Sequence, residues 1–400
     1  MSERKYGIAA KIAVLSLPVV MYTTQIAMPV IGAMVKEFPD VNPELLKQIL
    51  TIPNFTMMAV ALILGAVERV LSRRTLVFAA CAFTFIGGIG PVFFNNITVI
   101  LIFRMIYGIG LGIVFPLASS LIGELFEGSE RQQMMGLRGA VGTAAGIVFS
   151  LAAGYLAVIR WKYAFLLMLS IAVVFIIVLF KLPEPERKPV SSASGNTAKA
   201  KLKPWTYIII LLNIGYNLLM VSFTTNLSIV VVVDKVGDVA QAGIVSTLFT
   251  VGAFLAGLAF AKIEQIFKRY TVAIAVGLVG ASLVMLLFVN SIGLFMVGGF
   301  IFGLGFGLYN PCVTLKVIAS VDKQATTRAV SLYIVAQSFA QFLSPILYIA
   351  INKALGLTGN RASWMTAGPG LVVAAVVIIL FVAFVKPKEV VPSVVSQVSQ

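Results

Sequence analysis

Ten residues recur in this chain. Tyr107–Pro116 reads YGIGLGIVFP, and Phe302–Pro311 reads FGLGFGLYNP 195 positions later, with three glycines and the proline in register. Leu137 with Leu332, and Ala145 with Ala340, extend the same offset without a gap. Earlier in each copy, YTTQIA (Tyr22–Ala27) is matched by FTTNLS (Phe223–Ser228) at an offset of 201. Two copies of one unit are joined end to end, so both halves must reach the same fold.

Each copy carries six long apolar runs. They lie near 10–35, 45–67, 75–94, 97–123, 132–157 and 163–181, then 206–233, 241–262, 271–289, 292–318, 329–351 and 364–385. Each run is close to the roughly 20 apolar residues that cross a bilayer as a helix. Only NSIG separates the ninth from the tenth. Apolar residues make up 60% of the 400 and charged residues 11%, against about a quarter charged in soluble domains. The expected fold is an all-α polytopic membrane protein of twelve transmembrane helices. Six crossings return the chain to its starting side, so the copies form two parallel six-helix bundles related by an axis along the membrane normal. The N-terminal bundle is expected over 1–182 and the C-terminal bundle over 206–386, with a tail at 387–400. The stretch LPEPERKPVSSASGNTAKAKLKP has almost nothing to bury, and marks 183–205 as a flexible linker. The basic N-terminus leads into an apolar run too long for a signal-peptide core, so it reads as a retained first span.

The formal net charge is +15. Sorting the basic residues by side places 22 of 30 with the N-terminus and 7 opposite, with Arg104 inside a span. Basic loops face the cytoplasm, which puts both termini and the linker there, in a multi-pass protein of the cell membrane. The same bias absorbs most of the positive charge, so no nucleic-acid partner is implied. Trp161, Trp205 and Trp364 stand at expected span ends, where amphipathic rings collect. There is no histidine, and Cys81 and Cys312 lie in apolar runs. Imidazole metal sites and Ser-His triads are excluded, no disulfide framework or cofactor is expected, and the chain is not read as an enzyme.

Gly108 and Gly112, like Gly303 and Gly307, form small-xxx-small faces that let helices approach closely in lipid. After the second span stands GAVERVLSRR (Gly65–Arg74), and within the fourth RMIYGIGLG (Arg104–Gly112). With the twelve spans and the mid-chain linker, these segments resemble the major facilitator superfamily, along nearly the whole chain. The first is similar to that family's loop signature, with Glu68 for the usual Asp, Gly65 one place late, and Leu71–Ser72 for the second glycine. The second is similar to its Arg-xxx-Gly motif. The second-half stretch GLAFAKIEQIFKR has Ala261 where the acid would fall. In the fifth span, GTAAGIVFSLAAG has Ile147 where drug antiporters of the family carry a proline, which weakens that reading.

A polar side chain in hydrocarbon needs a reason. Arg104 sits near mid-depth, a position costing roughly 2.5–3.5 kcal/mol on insertion scales. Its repeat partner is Gly299. The resemblance suggests coupling or anion contact for it; a structural Arg on backbone carbonyls explains it equally well. Tyr107, one turn on, joins the candidate pathway. Arg138, whose repeat partner is Tyr333, is either a pathway residue or a snorkelling one. Polar stripes at helical spacing add Thr24 and Gln25 in the first span, Asn213, Asn217, Thr224 and Ser228 in the seventh, Asn310 in the tenth, and Tyr333, Gln337, Gln341 and Ser344 in the eleventh. Four polar residues in register favour a water-accessible path over simple helix glue. Glu68, Arg69, Arg73, Arg74 and Glu124 cluster at the cytoplasmic side. The resemblance makes this cluster a latch on the inward gate.

All fifteen acids lie at span ends, in loops or in tails. With no carboxylate at mid-membrane, the cargo reads as a small neutral or anionic organic solute rather than a cation. Protons are the candidate coupling ion, through Glu68, Glu124 or the substrate itself. The leading expectation is a secondary transporter working by alternating access, an efflux-type antiporter. The alternatives are an importer or facilitator of an organic acid or sugar, and a non-transporting receptor or lipid scramblase on the same fold. The short loops argue against a receptor.

Overall fold

The computed structural model describes residues 7–183, 202–322 and 325–384. Most of the expected linker and the whole expected tail lie outside those residues. Among the described residues the helices make twelve crossings, counting Val239–Phe288 as two. They are α1 (Ile8–Glu37), α2 (Pro43–Val70), α3 (Arg73–Ile89), α4 (Ile97–Leu125), α5 (Gly128–Ile159) and α6 (Trp161–Lys181), then α7 (Pro204–Val233), α8 (Val239–Phe267), α9 (Thr271–Phe288), α10 (Ile292–Ala319), α11 (Thr326–Ala354) and α12 (Ala362–Phe384). Local signals start several of them. Asn42 caps α2 ahead of Pro43, Ser72 caps α3, Asn96 caps α4, and Asp238 with Gln241 forms a capping box on α8.

Helical structure runs unbroken through Val239–Phe288, 50 residues. At 1.5 Å per residue a straight helix of that length would reach about 75 Å, more than twice the hydrocarbon thickness. The chain reverses instead at Lys268, which ends α8 with φ +46° and leads into a 3-10 turn, Lys268–Tyr270. The neighbours of α10 confirm the reversal. Gly303 and Gly307 meet Phe249 and Ala253 of α8 in ascending order, while Gly298 and Gly305 meet Leu286 and Ala275 of α9 in descending order.

The duplication persists down to atomic contacts. A Cβ on Gly108 would lie 2.4 Å from the Pro53 carbonyl oxygen, and one on Gly303 would lie 2.1 Å from that of Phe249. On Gly110 and on Gly305 a Cβ would lie 2.6 Å from the carbonyl oxygens of Ala80 and Ala275, respectively. Those contacted positions are themselves repeat partners, at offsets of 196 and 195. In each half, then, the fourth helix of the bundle is gripped backbone-to-backbone by the second and third, as small-residue packing in lipid requires.

The expected single first span is interrupted. A 3-10 turn, Thr23–Ile26, divides α1 into Ile8–Tyr22 and Ala27–Glu37. Pro29 has no N–H to offer the Gln25 carbonyl, so the α-helical ladder fails there and the turn tightens. The two segments keep different company. Ile8–Tyr22 packs on α4, α5 and α6 of its own half, whereas Ala27–Glu37 also packs on α7 and α8 of the other.

The halves therefore meet at the end of the bundle away from the linker. There Gly32 N–H donates to Ser228 Oγ at 3.0 Å, and Ser228 Oγ donates to the Pro29 carbonyl. Met28 enters the core of the C-terminal half and its repeat partner Ile229 enters the core of the N-terminal half. Gly154 of α5 and Gly243 of α8 touch so closely that a Cβ on Gly154 would lie 2.9 Å from the Gly243 Cα. At mid-height the Phe55 and Phe342 rings meet at a tilt across α2 and α11 with centroids 4.9 Å apart. At the linker end the ion pairs Lys11–Glu130, Arg73–Glu124 and Lys203–Asp322 each stay within one half.

Candidate functional site

A cavity of about 330 Å³ opens at the level of the break in α1. Pro18, Met21, Tyr22, Thr24 and Gln25 of α1 form one side, Phe115 of α4 another, and Arg138 with Gly139 of α5 the third. The 3-10 turn carries Thr24 and Gln25 onto this wall. Thr24 Oγ1 donates back to the Met21 carbonyl at 3.2 Å, leaving the Gln25 amide as the uncharged polar head on this side.

Tyr22 was not singled out from the sequence, yet it shapes the cavity. A Cβ on Gly142 would lie 2.5 Å from its ring and one on Gly146 would lie 2.7 Å from it. Gly142 and Gly146 of the fifth span thus make a slot for this ring. Arg138 stands one turn before Gly142. Its guanidinium touches Met21 Sδ at 3.8 Å, its Nε is buried without a partner, and no carboxylate among the described residues pairs with it.

Arg104 and Tyr107 lie elsewhere. Arg104 is 1% exposed, donates from Nε to the Ile49 carbonyl at 2.9 Å, and lies 4.4 Å from the Tyr107 ring centroid and 5.9 Å from that of Phe165. Tyr107 is fully buried and its hydroxyl pairs with Thr23 Oγ1 at 2.8 Å. Together they tie α4 to α1, α2 and α6. Of the two readings left open for Arg104, this is the backbone-bonded one, and it puts both side chains outside the cavity wall.

Several candidates of the C-terminal half bond to one another, while Asn213 Nδ2 and the Tyr333 hydroxyl are buried without a partner. Asn217 Nδ2 donates to Asn213 Oδ1 at 3.0 Å, Gln341 Nε2 donates to Asn217 Oδ1 at 3.0 Å, and the Tyr309 hydroxyl donates to Asn213 Oδ1 at 3.3 Å. Tyr216 stacks on Tyr309 with centroids 3.5 Å apart. Tyr333 is buried and Gln337 half-buried on the same helix as Gln341. Asn310 and Thr224 bond to carbonyls of their own helices, at Phe306 and Val221. On α7 and α11 a smaller apolar pocket of about 240 Å³ lies among Leu218, Leu219, Leu347 and Ile351.

Three of the five expected gating residues come together. Arg73 pairs with Glu68 and, at 2.9 Å, with Glu124, joining α2, α3 and α4. Arg74 turns away to the Leu179 carbonyl and lies 5.3 Å from the Phe78 ring centroid. The side chain of Arg69 lies outside the described residues. The pairs formed here join helices of one half.

Comparison with known proteins places the chain. The Major Facilitator Superfamily profile matches residues 13–233 and 212–398. The chain is 34% identical over 84 residues to the multidrug transporter protein MdtP of Bacillus subtilis (strain 168), a match covering 21% of this chain and 16% of that one. It is 27% identical over 193 residues to the multidrug efflux pump SdrM of Staphylococcus aureus (strain N315), covering 46% of this chain and 42% of that one. The matched stretches span less than half the length of these curated relatives. The structure of the peptide transporter POT in complex with sulfate superposes with a TM-score of 0.71 at 11% identity, over 93% of this chain and 94% of that one. Two duplicated six-helix halves packed on each other agree with the sequence profile across the whole length: this chain belongs to the Major Facilitator Superfamily.

Proposed function

We propose that this transporter is an efflux-type antiporter of the cell membrane, expelling a small neutral or anionic organic solute by alternating access. The observation that carries the reading is the divided company of α1. Ile8–Tyr22 belongs to one half only, Ala27–Glu37 is shared by both, and the cavity lies at the turn between them. A seam closed at one end of the bundle, with a cavity opening in the N-terminal half beside it, is what one of two alternating states requires. The excess of basic residues at the linker end supports cytoplasmic termini, so the cavity faces the cytoplasm and collects cargo from inside. The residues 1–182 and 206–386 move as two bodies, and the Arg73 cluster braces one of them. The partial likeness to MdtP and SdrM supports export. No carboxylate lines the cavity, which favours neutral or anionic cargo and leaves coupling protons to the substrate or to the acids at the linker end.

Everted membrane vesicles test this. With the lumen acidified, chloramphenicol as a neutral probe and fluorescein as an anionic one should accumulate several-fold over vesicles lacking the protein. Gly243→Leu, which forces the closed seam apart, should abolish that accumulation. Uptake in right-side-out vesicles instead would favour import of an organic acid or sugar, and indifference to the gradient would overturn the antiport reading.

A further inference from the structure

We propose that Arg138, with Tyr22 and Gln25, forms an anion subsite, so that the cargo of this cavity is an organic monoanion such as an aromatic carboxylate. The inference rests on the transporter reading and names its substrate class.

Other arginines of the chain show how a guanidinium is held in this fold. Arg104, although its Nη1 is also buried without an acceptor, has the Ile49 carbonyl and the Tyr107 ring. Arg361 donates to the carbonyls of Leu286, Leu287 and Val289, to Asn290 Oδ1, and pairs with Asp234. Arg73 holds two glutamates. Arg138 has a thioether at 3.8 Å and a buried Nε with nothing to receive its hydrogen. A thioether is a weak acceptor, and this half-buried cation borders the cavity with no carboxylate beside it among the described residues. A carboxylate arriving in the cavity supplies that counter-charge, meeting the part of the guanidinium that borders the opening.

The surroundings limit what accompanies that charge. Tyr22, fixed in its slot by Gly142 and Gly146, presents an aromatic wall, and Phe115 lines the cavity from α4. The Gln25 amide offers one further neutral polar contact. A volume of about 330 Å³ is at the small end of ligand sites, so it suits a compact aromatic acid better than a long amphiphile. The repeat partner of Arg138 is Tyr333, so duplication provides one cationic anchor and not two, and selects a single negative charge.

Matched probes differing only in charge test the subsite. Binding of 2-naphthoate and of neutral 2-naphthamide is measured on the purified full-length protein in detergent. The wild type should favour the acid about ten-fold or more, the scale of one charge-assisted contact. Arg138→Gln should erase the preference, and Arg138→Lys should keep part of it. Both variants are checked for an unchanged elution profile and melting temperature. A wild type that binds the amide as well as the acid, or binds neither, overturns the subsite; so does an Arg138→Gln protein that still prefers the acid. If charge preference is absent while gradient-driven chloramphenicol transport persists, the subsite fails and the transporter reading stands. If all vectorial transport is absent, it is the transporter reading that fails.

Discussion

In the C-terminal half, Asn213, Asn217, Gln341 and Tyr309 close on one another. In the N-terminal half, Tyr22, Gln25 and Arg138 border open space. Yet the same halves share their glycine columns almost atom for atom, Gly108 and Gly110 against Gly303 and Gly305. The difference separates two kinds of constraint. A backbone-to-backbone contact admits no side chain at all, so each copy had to keep its glycines. Wall residues have no such constraint and could diverge once there were two walls. One wall bonds largely within itself as a brace, leaving Asn213 Nδ2 and the Tyr333 hydroxyl buried and unpaired, and the other carries a cation with no carboxylate beside it among the described residues.

The shared part is the easiest to break. Gly303→Ala brings a methyl group to 2.1 Å from the Phe249 carbonyl oxygen, and Gly108→Ala brings one to 2.4 Å from that of Pro53. Neither partner is a flexible side-chain tip, so α10 or α4 must move off its neighbours. Each change should cost at or above the upper end of the range of about 1–3 kcal/mol for overpacking, measured as thermal unfolding in detergent. Gly215→Ala is the control, because a Cβ there meets nothing within 4 Å. If one half tolerates its alanine and the other does not, the columns are not equivalent after all.

How much of this was legible beforehand follows the same division. Spans, their orientation in pairs and the glycine register were readable because they are periodic and compositional, and lipid forces them. The break in α1 was not read, since a proline such as Pro29 interrupts the hydrogen-bond ladder without dictating how the helix responds. Thr24, Gln25 and Arg138 were placed on the pathway and do line the cavity. Tyr22 was missed because an aromatic in an apolar span carries no mark of its own. Its role depends on Gly142 and Gly146, on another helix. Asn213 and Asn217 on α7 are one turn apart and bond to each other, to Gln341 and to Tyr309, partners that spacing along one helix does not name. Arg104 posed the same difficulty, because a buried charge announces itself without naming its partner.

Arg104 and Arg138 give the next sharpest contrast. Arg104→Ala removes the bond to the Ile49 carbonyl and the cover on Tyr107, leaving a buried acceptor and a void between α2 and α4. The expected cost is about 1–3 kcal/mol in thermal stability, with charge preference in probe binding unaltered. An Arg104→Ala protein that folds as well as wild type but no longer distinguishes acid from amide would move the anion subsite from α5 to α4.

The smallest effect should come from the brace itself. Asn217→Leu keeps much of the volume and deletes the bonds to Asn213 and Gln341. Gln341 is half-buried, so its amide can turn toward other partners, whereas Asn213 is fully buried and keeps only Tyr309 on its side-chain oxygen. Interhelical polar contacts in membranes average about 0.6 kcal/mol and reach about 1.7, and the asymmetry places this one near the lower figure. A double-mutant cycle with Gln341→Leu reads the coupling directly from melting temperatures. Coupling of that size, with transport retained, is what a brace predicts. Transport lost at unchanged stability would instead put Asn217 on the cargo path, and the two walls would then share the work of recognition.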